Sequence, residues 1–189
     1  ESCSESPRKK KTRKAGTESF WLEISLDNLL NKAYNSFMNW RNYMIKVTTE
    51  DRNLPEFDTF IDECIVALFP DGVNYDINIR YAKFIEDTGL YGGLCTGDQE
   101  SSTINIATHW KYEDGEIIKY EPHEMAGTLA HELTHAKQFC KNQINMVDHV
   151  WRHNGVHIDC EDVDYMDAPW EVEAYEYEKI LVDLLWENV

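Results

Sequence analysis

The run Met125-Ala126-Gly127-Thr128-Leu129-Ala130-His131-Glu132-Leu133-Thr134-His135-Ala136-Lys137-Gln138-Phe139 decides how the rest of the chain is read. Met125, Leu129, Leu133, Ala136 and Phe139 recur at helical spacing, so an amphipathic helix is expected here. Glu121 and Glu124 suit its positive end, and Pro122 fits its first turn. Within it, His131-Glu132-Leu133-Thr134-His135 reads H-E-x-x-H. Side chains four apart lie on one helix face, so two imidazoles spaced this way can grip one metal ion. Glu132, beside the first imidazole, is placed to take a proton from a water at that ion.

Two histidines rarely hold a catalytic metal alone; a third protein ligand and an open position are usual. The longer H-E-x-x-H-x-x-G-x-x-H form is absent, because Gln138 stands at the glycine position and Lys141 at the last histidine position. If a histidine were needed, His149, His153 and His157 are the candidates. The helix expected from Pro169 to about Glu187 offers a better donor in Pro169-Trp170-Glu171-Val172-Glu173-Ala174. Glu173 shares a stripe with Tyr177, Ile180, Leu181 and Leu184, whereas Glu171 leads to the more mixed Tyr175, Glu178, Val182 and Leu185. A carboxylate heading an apolar stripe must be paired or bound to metal, because a lone buried charge is costly. Glu173 is therefore the expected third ligand, and Glu171 the second choice.

The chain has 189 residues and 42% hydrophobic composition, enough for one domain with a real core. It carries 18 basic and 35 acidic residues, net −17. Six of the basic residues fall in residues 1–18, which leaves the remainder with 12 basic and 32 acidic groups. So acidic a body repels nucleic acid, and any contact with nucleic acid or an anionic surface is confined to the tail. No run approaches the about 18 apolar residues of a membrane span. No signal-peptide core is visible, and the five cysteines form no C-x-x-C pair, so a reduced, intracellular or virion-associated chain is expected.

Residues 1–17 read as a disordered basic tail, and residues 18–189 as a single domain. Its first part, residues 18–70, is expected to be helical: one aromatic-rich helix from Thr17 to about Val47, a polar break at Thr48–Asn53, and a second helix from about Pro55 to Leu68. In the second part, residues 75–189, Tyr75, Ile77, Ile79 and Tyr81 alternate with polar residues as in a strand. Gly89, Gly92, Gly93 and Gly97 read as a loop, Thr103–Trp110 as a second strand, and Ile117–Tyr120 as a short extended piece. Asn154-Gly155 is a strong hairpin signal.

His131–His135 together with Pro169–Ala174 resembles the zincins, the H-E-x-x-H zinc metallopeptidases. A glutamate as third ligand puts it with the gluzincin kind. The hairpin at Asn154-Gly155, then Tyr165, then Pro169–Ala174 is similar to small metallopeptidase domains, some encoded by bacteriophages. The resemblance covers about residues 75–185. It implies an α+β fold: N-terminal helices, a small antiparallel or mixed sheet whose edge strand lies beside the active-site helix, and a C-terminal ligand helix. It assigns the edge strand to Thr103–Trp110, which would bind the backbone of a peptide or protein substrate, and it matches Glu173-Ala174 to the family's Glu-Ala pair.

The implied activity is peptide-bond hydrolysis. Zn²⁺ is held by His131, His135 and Glu173, with Glu132 as general base. Tyr165, His157 or His153 would donate to the oxyanion, while His109 and His123 are expected to play no part. The rival readings are a catalytically silent zincin-fold protein serving as a structural or binding component of a larger assembly, and a zinc-free helical domain.

Overall fold

The structure, a computed structural model, describes residues 44–50, 55–70, 73–86, 89, 91–112, 114–147, 150–159 and 163–186. The expected tail, and the aromatic helix up to residue 43, lie outside these. Where that helix was expected to end, Met44–Glu50 is instead a strand, β1. The β-branched run Ile45, Val47, Thr48 and Thr49 favours a pleated surface over a helix.

After β1 comes the helix Pro55–Leu68 (α1), as expected, and then the strand Asn74–Ala82 (β2). β1 and β2 pair in parallel, so α1 is the crossover between them. β2 alternates as its sequence demands: Tyr75, Ile77 and Ile79 are buried, while Asn74, Asp76 and Arg80 face out. Next come Gly93–Gly97 (β3) and Ser101–Ala107 (β4), joined by a tight turn in which the Asp98 carboxylate accepts from the N–H groups of Glu100 and Ser101. β4 runs parallel to β2 and antiparallel to β3. The four-stranded mixed sheet has the order β1-β2-β4-β3.

This order corrects the expected edge. Thr103–Trp110 is not an edge strand: its first part belongs to β4, an inner strand, and the edge is β3, in the glycine-rich stretch that reads as loop. The chain bends at Thr108, whose N–H and hydroxyl both donate to the Ala82 carbonyl. His109–Lys111 (β5) then pairs with Ile117–Lys119 (β6) in a separate hairpin.

The helix Pro122–Cys140 (α2) starts as its sequence requires, with Pro122 in the first turn and the Glu124 carboxylate accepting the Glu121 N–H at 2.9 Å. It packs against α1, β3 and β4. Phe57, Phe60, Cys64 and Leu68 of α1, Ile77 and Ile79 of β2, Ile104 and Ile106 of β4, and Leu129 and Leu133 of α2 form one core. Each fully buried side chain of this size contributes about 1.5–3 kcal/mol.

A small sheet follows, of Ile144–Val147 (β7), Val150–His153 (β8) and Val156–His157 (β9). Its β8–β9 hairpin turns on Asn154 (φ 50°) and Gly155 (φ 80°), the left-handed pair that the Asn-Gly signal implies. A single 3₁₀ turn, Tyr165–Asp167, leads into the last helix, Pro169–Leu185 (α3), which lies along α2. The molecule is thus α+β, with α2 between sheet and α3. No helix among the described residues is long and apolar enough to cross a membrane. Cys64, Cys95 and Cys140 are free thiols.

Candidate metal centre

The centre lies between α2 and the first turn of α3. His131 and His135 lie one helical turn apart and meet edge to face, ring centroids 4.7 Å and planes 80° from each other, with their Nε2 atoms 3.1 Å apart. The Glu171 carboxylate closes the group: one oxygen is 3.2 Å from His131 Nε2 and the other 3.3 Å from His135 Nε2. Glu171 is 2% exposed, and both histidines are buried.

The expected ligand Glu173 is elsewhere, which corrects the sequence reading. Two residues further on, it is rotated about 200° around the helix. Its carboxylate accepts from Lys137 Nζ at 2.7 Å and from Gln138 Nε2 at 2.9 Å. The buried face of α3 is Trp170, Glu171, Ala174, Leu181 and Val182, so in its first turn Glu171, not Glu173, points inward.

Hydrogen bonds at the Nδ1 side of the rings set the histidine tautomers. His135 Nδ1 is 2.8 Å from the Gln138 amide oxygen, which can only accept, so Nδ1 carries the proton. His131 Nδ1 is 3.2 Å from the Glu178 carboxylate and donates to it. With both imidazoles neutral, both Nε2 atoms direct lone pairs at the carboxylate of Glu171 and at each other. Three acceptors facing one another repel unless a cation sits among them.

Burial by itself opposes charge on His131 and ionisation of Glu171. Their mutual hydrogen bond, aided at His131 by Glu178 and Glu132 and at Glu171 by His135, overrides this, holding His131 up at about 10 and Glu171 down at about 2. The site selects positive charge. Its geometry also suits a metal: a tetrahedral ion with bonds of about 2.0–2.1 Å holds its donors roughly 3.3 Å apart, close to the edges measured here. His131, His135 and Glu171 form a buried group that can hold a metal ion.

Glu132 lies on the neighbouring face of α2, toward β3. The approach is close: a Cβ at Gly93 would fall 2.5 Å from Glu132 Oε1 and 2.6 Å from Thr128 Cγ2. Gly93 is thus the residue that lets Glu132 lie beside the edge strand. Gly127 plays a similar part for Glu178, whose Oε1 would lie 3.2 Å from a Cβ there. A mid-helix glycine costs about 0.5–1 kcal/mol relative to alanine.

Of the expected oxyanion donors, Tyr165 is half-buried in the 3₁₀ turn, and His157 is exposed on β9, outside the metal-binding group. His153 lies 6.5 Å from the Trp170 ring, and His149 falls outside the described residues. The phenol set against the centre is Tyr175, its ring 4.5 Å from that of His131 and its hydroxyl donating to Met166 Sδ at 3.5 Å. His109 accompanies Thr108 and Phe84, and His123 is exposed in the first turn of α2. Sequence reasoning missed Gln138, Glu178 and Gly93. Gln138 was detectable, because it follows His135 by three residues and so shares its face. Comparison with protein-family models, with curated proteins and with solved structures gives no match.

Proposed function

We propose that this chain is a zinc-dependent peptidase, with His131, His135 and Glu171 as zinc ligands and Glu132 as general base. The observation that carries the reading is the convergence of two buried imidazole nitrogens and both oxygens of one buried carboxylate at 3.1–3.3 Å, beside a further buried carboxylate. Two imidazoles, one carboxylate and an open fourth position form the donor set of catalytic zinc. The ion, when bound, polarises a carbonyl and makes water acidic near neutral pH. Glu132 takes the proton of the attacking water and passes it to the leaving nitrogen. Gly93 keeps that carboxylate against β3, and Glu178 and Gln138 hold the two imidazoles in the tautomer that leaves Nε2 free to ligate.

The substrate-aligning role that the resemblance gave to Thr103–Trp110 passes to β3. Among the described residues β3 pairs only with β4, which leaves its other edge to an extended peptide. The resemblance offers Tyr165 and His157 as oxyanion donors, and neither belongs to the metal-binding group. Tyr165→Phe and His157→Gln separate them by their loss of kcat.

The deciding experiment pairs metal analysis with Glu132→Gln. Stoichiometric zinc in both proteins, with peptide hydrolysis lost only in the variant, is the expected result. Equal hydrolysis by both would remove Glu132 from its role, and absence of bound metal in the parent would remove the whole reading.

A further inference from the structure

Gln138 is completely buried, and both its N–H groups are used. Its amide oxygen accepts from His135 Nδ1 at 2.8 Å, and its amide nitrogen donates to the Trp170 carbonyl at 3.0 Å and to Glu173 at 2.9 Å. These partners fix the amide's orientation. Turned over, it would set N–H against the protonated Nδ1 and oxygen against two acceptors. Trp170 immediately precedes Glu171, and its ring is stacked on Trp151 at 5.9 Å. One side chain therefore holds the His135 ring and the backbone that carries Glu171, two of the three ligands, and they come from different helices.

We propose that Gln138 is a positioning residue of the metal centre, coupling the orientation of His135 to the docking of the first turn of α3. Metal affinity then depends on a side chain that does not touch the metal. Glu173 acquires a role in the same arrangement: with Lys137 it anchors the far side of the Gln138 amide. This inference rests on His131, His135 and Glu171 being the metal ligands.

The test uses the full chain and Zn²⁺, with affinity measured by competition against a chromophoric chelator. Gln138→Met keeps the length and burial of the side chain and removes all three hydrogen bonds. Its expected effect is a loss of about 10–100-fold in affinity, the usual range for groups behind the ligands. In the zinc-loaded parent the His135 Nδ1 proton should appear as an exchange-protected imidazole N–H resonance, and in Gln138→Met that signal should vanish. A change in general stability alone would not remove it.

Gln138→Glu divides the two functions and serves if the methionine variant does not fold. Its carboxylate still accepts from His135, so the resonance should persist, but it cannot donate to the Trp170 carbonyl, and affinity should fall by about 10-fold or more. A folded variant binding zinc as tightly as the parent, with the resonance unchanged in Gln138→Met, would overturn the role of Gln138 and leave the metal centre standing. Failure of the parent itself to bind zinc would overturn both.

Discussion

Helix α2 is buried along two faces of opposite chemistry. One presents Met125, Leu129, Leu133 and Ala136 to α1 and the sheet. The other presents His131, His135 and Gln138 to α3, where Glu171 and Glu178 meet them. Burial on the first face is non-directional: stability follows the apolar area removed from water, and similar volumes substitute for one another. On the second, every buried group needs a partner at a fixed distance, because unpaired polar atoms cost more than paired ones gain. The two faces are therefore expected to fail differently. Damage to the apolar face lowers stability, whereas damage to the polar face removes a binding property from a protein that still folds.

The sharpest separation comes from the two glutamates of α3. Glu171→Gln takes a charged carboxylate out of the centre, and, if Glu171 is a ligand as proposed, zinc affinity should fall by more than the roughly 100-fold that marks the upper range for groups behind metal ligands. Glu173→Gln keeps an acceptor for Lys137 and should stay within about 10-fold of the parent. Chelator competition measures both. If Glu173→Gln were the variant that lost its metal, the assignment of the two carboxylates would be reversed.

On the apolar face, Leu133→Ala should cost about 2–5 kcal/mol in urea unfolding. Leu133 is fully buried between the two histidines in sequence yet points away from the centre. The folded fraction should retain zinc at near-parent affinity. A matching collapse of metal binding at full folding would show that the faces are not independent. Between these extremes lies Gly93→Ala, where the new methyl group would meet Glu132 Oε1 at 2.5 Å. A displaced base should leave zinc in place and reduce turnover by up to about 100-fold, as a misplacement near 1 Å can do. Undiminished turnover would mean that Glu132 tolerates displacement and does not work as a fixed base.

The same contrast explains what could be read from the chain. Tyr75-Ile77-Ile79 and the helical repeat of α2 were legible because an apolar face announces itself by period. His131, Glu132 and His135 were legible because their spacing is local. The Asn154-Gly155 hairpin followed from a backbone preference of those two residues. Glu171, the third member of the group, was not legible by the stripe rule, because that rule assumes the interior is apolar. Where the interior is a polar centre, the inward stripe of α3 is Glu171, Ala174 and Glu178, and it looks mixed for that reason. β3 was hidden likewise. Gly93-Leu94-Cys95-Thr96-Gly97 has little strand propensity, and its strand arises from pairing with β4 and from the close approach of Glu132 that glycine permits. In β1, a helical apolar pattern continuing from upstream masked the β-branched signal of Ile45 to Thr49.

The smallest expected effect concerns the rim of the polar face, where Glu173 meets Lys137. Burial opposes ionisation of Glu173, but the hydrogen bond and charge of Lys137, helped by Gln138, outweigh it and hold the carboxyl below its ordinary value of 4.5. A carboxyl depressed in the folded state stabilises the fold above its unfolded pKa, and that stabilisation is lost as pH falls through the lower folded value. Between the two values the unfolded chain binds more protons, so stability rises with pH. Glu173→Gln has no such group. Its unfolding free energy should lie slightly below the parent's at pH 6, and the difference should close as pH falls from about 4.5. Lys137 limits the loss, since its ammonium keeps the amide oxygen as a partner and lies 4.1 Å from the centre of the Tyr177 ring. Parallel stability profiles for the two proteins across that acid range would mean that the pair contributes contact geometry and no net electrostatic stabilisation.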